Sequence, residues 1–266
     1  MAVEASLDSV KFLFTRRWIL FALGVVVLAL ACYRLGVWQF HRLAERKAEN
    51  AVTVHNLKAD PVPASSLLAP GKPVPAAEQW RRVTATGQYD AERTVVLRYQ
   101  TRNGQPGVDL VTPLKTASGA ALLVDRGWVA TNNVGESPAK LPPPPAGQVT
   151  VAGWVQPNEE GSATVVTHRS TRLISSTQIA KTVPYPLDRG YVQALTESPK
   201  PAHPPLRAER PDLSNGPHFF YGLQWWFFAA LAVFGFGYLA WDERKKLRGE
   251  NTEPEAPAEQ PEQTRT

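Results

Sequence analysis

The feature that most constrains this chain is a stretch of 23 positions, 219–241, that carries no charged side chain and holds eleven of the 25 aromatic residues. It reads FFYGLQWWFFAALAVFGFGYLAW. A helix in water hides one apolar stripe and wets the rest. Here Trp, Phe and Tyr fall on every face, so the helix needs lipid or a partner all round it. A second apolar run, WILFALGVVVLALACY, begins at Trp18 and resumes after Arg34 as LGVWQF. Together these give about 23 residues and roughly 34 Å of helix, enough to cross a bilayer core. Arg34 is close to Trp38, an interfacial aromatic, and its guanidinium can snorkel outward.

Two spans divide the chain into a cytoplasmic N-terminus (1–17), a first transmembrane helix (18–40), an extracytoplasmic domain (41–217), a second transmembrane helix (218–241) and a disordered cytoplasmic tail (242–266). Lys11, Arg16 and Arg17 before the first span and Arg244, Lys245, Lys246 and Arg248 after the second put both termini inside, against a weaker outer cluster of Arg34, Arg42, Arg46 and Lys47. Thr15-Arg16-Arg17 resembles a twin-arginine export signal, and Ala29-Leu30-Ala31-Cys32 is a near miss to a lipoprotein cleavage box. An uncleaved anchor is the better reading, because the apolar helix pattern continues past Cys32 beyond the length of a signal core. Cys32 is then an inert packing residue.

Composition removes several classes. One cysteine among 266 residues forbids an internal disulfide or a cysteine-built zinc or iron-sulfur site. The net charge of +5 is spread out, with no Lys/Arg block longer than three, so nucleic acid is not the partner. The tail, NTEPEAPAEQPEQTRT, is too polar and proline-rich to fold.

Between the spans the first helix continues to about Glu49, with Arg42 in register with Glu45 and Glu49. Residues 58–76 hold five prolines and form an irregular connection. RRVTATGQY and RTVVLRYQT then read as a hairpin with Gly87 as a bulge, followed by strands GVDLVTPL, AALLVDRGWVA and QVTVAGWVQ, with RLISS and GYVQALT as further strands. Leu141 with the four prolines after it forms a stiff polyproline link. Turns rather than crossover helices join the strands. The fold class is therefore a membrane protein of α+β type, two transmembrane helices flanking an antiparallel, barrel-like β domain.

Catalytic signatures are missing from the sequence: it has no G-x-S-x-G, H-E-x-x-H, P-loop or C-x-x-C, and neither a catalytic nor a metal set emerges. A non-enzymatic role follows. His55 and His168 lie in polar stretches, His41 at the membrane surface and His203 in a proline-rich linker. His218 differs. It opens the second span, and Tyr221, Trp225 and Phe228 follow it on one helical stripe. An imidazole above an aromatic wall suits a haem; an interfacial histidine among belt aromatics needs no ligand. Gln224, inside the apolar run, wants a hydrogen-bond partner on the first helix, such as Gln39 or Trp38, or on another protein. Ala229, Ala232 and Gly235 offer small residues for close helix approach. Arg126-Gly127-Trp128 ends an apolar strand, as a core tryptophan under an arginine or as a partner-binding patch.

The order of these pieces resembles the surfeit locus protein 1 family. The matching residues are Leu35-Gly36-Val37-Trp38-Gln39 with Arg42 and Lys47; Gly87 and the strand ending Thr112-Pro113-Leu114; Leu123-Val124-Asp125-Arg126-Gly127-Trp128-Val129; Val151-Ala152-Gly153-Trp154; and Asn215 to His218 leading to Tyr221 and Trp225-Trp226-Phe227. It departs from the family pattern at 173–178 and where Gly216-Pro217 separates Asn215 from His218. The resemblance implies an assembly factor for cytochrome c oxidase in the cell membrane. It would help insert haem a into the catalytic subunit, with haem a synthase a further partner, and would carry haem a transiently near His218. The alternative is a scaffold that stabilises the oxidase and binds no haem. Residues 41–217 hold 20 Lys+Arg against 15 Asp+Glu, the whole of the net charge, so the basic surface faces anionic headgroups, haem propionates or an acidic partner.

Overall fold

The computed structural model describes residues 11–132 and 140–250. It forms two compact units, one from the chain up to Lys47 and from Ser214 onward, the other from residues 48–213. Among the described residues there are three α-helices: α1 (Arg16–Lys58), α2 (Ser176–Ile179) and α3 (His218–Glu250).

In the first unit α1 and α3 run alongside each other in opposite directions. Trp18 meets Phe236 with ring centroids 5.8 Å apart, and Phe40 meets Phe219 at 6.1 Å. Both helices are long and apolar enough to cross a membrane. Their outward faces leave Leu23, Val27, Leu30, Phe220, Phe227 and Phe234 uncovered. Both also outrun the sequence reading. α1 continues past Glu49 because no glycine or proline interrupts it before Pro61. α3 continues through residue 250, so the start of the expected disordered tail is helical, supported by an ion pair of 2.9 Å between Asp242 and Lys246. The rest of that tail lies outside the described residues.

The second unit contains strands β1 (Val62–Pro63), β2 (Arg82–Tyr89), β3 (Val95–Arg102), β4 (Gln105–Thr116), β5 (Ala121–Ala130), β6 (Gln148–Gln156), β7 (Ser170–Thr171) and β8 (Tyr191–Ser198). β2, β6, β8, β5 and β4 close into a five-stranded barrel, because β4 pairs back onto β2 at Gly87↔Thr116 and Tyr89↔Leu114. Closure leaves these five staves no open edge except where β4 continues into its pairing with β3.

Four sequence expectations need correction here. β2 and β3 are not a hairpin. β3 pairs with the first part of β4 and β2 with its last residues, so the two lie in line along one edge of a 12-residue strand. The short turn of helix at Ala91–Arg93 bends the chain between them. Gly87 is not a bulge, being paired regularly with Val149 on one side and Thr116 on the other. The sheet is not wholly antiparallel: β8 enters beside β5 in parallel, Val124↔Val192, while lying antiparallel to β6. RLISS is not a strand; the run of polar residues from Ser175 opens α2, with the Asn158 carboxamide oxygen accepting from both the backbone N–H and the hydroxyl of Ser176 at 2.9 Å.

The barrel interior is built from β-branched and leucine side chains, among them Val83, Leu114, Leu122, Val124, Val151, Val155 and Val192. Alternation along each strand puts these on one face, as period-two patterning requires. The proline-rich connection is less irregular than expected. It supplies β1 and short helical turns, and it tucks Ala64, Leu68 and Val74 against the interior.

Candidate functional site

The paired helix ends place His218. Gly36 of α1 and Gly222 of α3 set the approach: a Cβ on Gly36 would lie 2.3 Å from the Trp226 ring, and one on Gly222 would lie 2.7 Å from Phe40. Absence of these side chains lets Trp226 stack on Tyr33, ring centroids 6.3 Å apart and planes 13° from parallel, and press on Phe40 at 4.8 Å. One turn further along, His218 Nδ1 meets Gln39 Oε1 at 2.8 Å. With the amide oxygen toward the ring, Nδ1–H donates, which leaves Nε2 outside this contact. This is the arrangement in which a second group fixes a histidine's tautomer and orientation for metal ligation.

The structure brings His218 and Gln39 together and leaves other expected members apart. Trp225 is half-buried and edges onto Phe228 at 6.0 Å, whereas Tyr221 is 48% exposed. Trp38 is exposed, and Arg42 pairs with Glu45 at 2.7 Å on the helix surface. Gln224 faces away from the pairing seam marked by Gly222 and Trp226, so it does not bond to Gln39, whose amide His218 occupies. Close approach occurs at Gly36 and Gly222 rather than at Gly235, where an added Cβ would meet nothing within 4 Å.

In the barrel, Arg126 does not lie over Trp128. Gly127 between them has φ +116°, which breaks the strand's alternation, and its Cα lies so near Leu206 that a Cβ would come within 2.2 Å of the Leu206 carbonyl oxygen. Trp128 donates its indole N–H to the Gln100 carbonyl at 2.9 Å and is buried. Arg126 is fully buried. It pairs with Glu197 at 3.1 Å, donates to the carbonyls of Pro142 and Pro143, and lies over the Tyr89 ring at 5.5 Å. Glu197 also accepts from Tyr89 Oη at 2.7 Å and pairs with Arg207 at 2.9 Å. Burial and the Glu197 charge hold the Tyr89 hydroxyl firmly protonated. With both residues enclosed, Arg126 and Trp128 are a structural lock, not a surface patch.

Sequence reasoning missed Tyr89, Glu197 and Arg207. A signal was present: Asp125-Arg126 inside LLVDRGWV must find buried partners, and the acid in YVQALTES is one. Asp125 itself accepts from the Gly127 N–H at 3.0 Å, and burial pushes its carboxyl well above the ordinary range, while neighbouring Asp109 is pushed up to about 6 for the same reason.

Fold and site together define a class, proteins that carry one closed β-barrel between two mutually paired apolar helices. The family model of the SURF1 family matches residues 26–230, and the chain belongs to that family, known generally for cytochrome c oxidase assembly factors. An uncharacterized SURF1-like protein of Mycobacterium bovis is 31% identical over 245 residues, covering 90% of this chain and 89% of the relative. A Mycobacterium tuberculosis counterpart gives the same figures. A SURF1-like protein of Rickettsia felis is 35% identical over 101 residues, covering 37% of this chain and 42% of that protein.

Proposed function

We propose that this chain is a non-enzymatic assembly factor of the cell membrane that helps haem a reach the catalytic subunit of cytochrome c oxidase. α1 and α3 cross the bilayer with both termini in the cytoplasm, and the barrel stands outside it. The carrying observation is the contact of 2.8 Å between His218 and Gln39 at the end of the helix pair. Haem a, if held here, would supply an iron able to take an imidazole nitrogen and a flat apolar ring that favours aromatic contact. The residues fit such a group. Gln39 engages Nδ1 of the imidazole and leaves Nε2 outside that contact. Phe219, Phe220 and Tyr221, which follow His218 in the first turn of α3, are exposed aromatics. Haem a synthase and the oxidase's catalytic subunit are the partners before and after this chain.

The test is the absorbance of protein purified from cells that make haem a, compared with His218→Ala and Gln39→Leu. Pigment should vanish in the first and fall about tenfold or more in the second, the usual loss when an outer partner of a ligand is removed. Equal pigment in all three samples refutes the ligand role. Normal haem a content in a deletion strain, with altered migration of the oxidase complex, would favour the scaffold instead.

A further inference from the structure

Two arginines of the barrel unit converge on one aromatic ring. β3 shifts its register against β4 between Leu97 and Gln100, and at this irregularity Tyr99 takes φ +63°, a left-handed conformation uncommon for a bulky residue. Tyr99 is 55% exposed. β7 lies parallel to β3 with Thr171 opposite Leu97, so the next residues, Arg172 and Arg98, follow side by side. Their guanidinium carbons lie 5.1 and 5.6 Å from the Tyr99 ring centroid. Both arginines line a pocket of about 330 Å³, where Ser162, Thr167 and Thr171 supply further polar lining and no acidic side chain among the described residues takes part. Other arginines of this unit are matched: Arg102 has Asp109, and Arg126 and Arg207 share Glu197. Arg98 and Arg172 form no ion pair among the described residues, and Glu159, three residues before Ser162, is turned to the Ile174 N–H. Arg98 Nε is moreover shut away from water with no acceptor. A charged donor left in that state weakens a fold, as do two like charges drawn to one ring. A buried orphan donor beside an acid-free pocket with two guanidiniums in its wall describes an anion site.

We propose that this pocket binds the phosphate group of a phosphate monoester, held between the guanidiniums of Arg98 and Arg172. Two permanent positive charges without a counter-charge call for a dianion. A phosphate monoester is one, with three oxygens for the two planar forks, whereas a carboxylate would leave one arginine unmatched. A soluble phosphoester and an anionic lipid headgroup share this chemistry. Tyr99 is a positioning residue, its ring drawing both cations to one place. The inference is independent of haem and of the helix pair.

The test is isothermal titration calorimetry on the full chain in phosphatidylcholine nanodiscs at about pH 8, with methyl phosphate, there a dianion, and methyl sulfate, a monoanion of the same shape, as probes. The wild type should bind methyl phosphate at least tenfold more tightly than methyl sulfate, and Arg98→Gln should lose tenfold or more of that affinity. Arg172 is exposed, so Arg172→Gln should fold and melt as the wild type does yet show the same loss, which keeps the test decisive if the Arg98 variant does not fold. Phosphatidate added to the disc that displaces methyl phosphate identifies a lipid headgroup as the source, and undiminished binding identifies a soluble phosphoester; both uphold the site. Methyl sulfate binding as tightly as methyl phosphate, an unchanged affinity in Arg172→Gln, or no binding of methyl phosphate to the wild type would each overturn the proposal.

Discussion

Removing Glu197 should damage the barrel more than removing Arg126, although the two form one ion pair. Both side chains are fully enclosed, with relative exposures of 0% and 0%. In Glu197→Gln, Arg126 keeps its charge but is left with the Pro142 and Pro143 carbonyl dipoles at 3.2 and 3.1 Å. In Arg126→Met, Glu197 retains Tyr89 and Arg207, and Arg207 is still 24% exposed and partly hydrated. Stranding one member of a buried pair costs about 3–5 kcal/mol. Glu197→Gln belongs at the upper end of that range and Arg126→Met at or below the lower. Against a total stability of about 5–15 kcal/mol, the first change consumes a large share. The double variant should cost less than the sum by roughly 1–3 kcal/mol, since the second removal strands nothing new. Hydrogen exchange of β6 and β8 amides in the full-length protein, read across a urea series, measures these losses where the barrel opens. Arg126→Met costing more than Glu197→Gln, or strictly additive losses, would refute the reasoning.

Other perturbations act on separate features. The folded state holds the Asp109 and Asp125 protons more tightly than the unfolded chain does, so between about pH 4 and pH 7 it binds more protons and its stability falls as pH rises. Asp125→Asn keeps an oxygen for the Gly127 N–H, and should flatten that fall and raise the melting temperature at pH 8 by roughly 4 °C or more, as calorimetry at pH 5 and pH 8 would reveal. Gly127→Ala places a Cβ where φ is +116° and the Leu206 oxygen is 2.2 Å away, so it should cost about 2 kcal/mol or more in a urea midpoint. Gly36→Ile drives a side chain into Trp226 and should push the helices apart. Spin labels at Leu30 and Leu231 would then report a longer, broader distance.

The helices were legible because nothing but a long apolar helix accommodates eleven aromatics in 23 positions. Their ends were less so: the helical spacing of Arg42, Glu45 and Glu49 was followed only to Glu49, whereas the helix runs to Lys58, with no glycine or proline after Glu49 until Pro61. Strand positions such as 148–156 could be read from alternation, but pairing could not. β-branched alternation says which face is buried, not which neighbour lies alongside, so the in-line β2 and β3 passed for a hairpin and the parallel entry of β8 left no local trace. His218 stood out by its place at the helix start. Its partner Gln39 lies 179 residues away, a proximity set by the Gly36 and Gly222 contact. The Arg126 environment was misjudged because a regular strand was assumed through Gly127.

The position of β8 also governs when the barrel exists at all. Its residues 191–198 are the last stave in chain order, and both β5 and β6 wait for them with unpaired edges. Until they arrive, the polypeptide is an open sheet of apolar strands, the state most prone to sticking to another copy of itself. A truncation anywhere ahead of Tyr191 therefore does more than shorten the protein. It fixes the chain in its unfinished, adhesive form, and a late premature stop should be cleared by proteolysis as thoroughly as an early one.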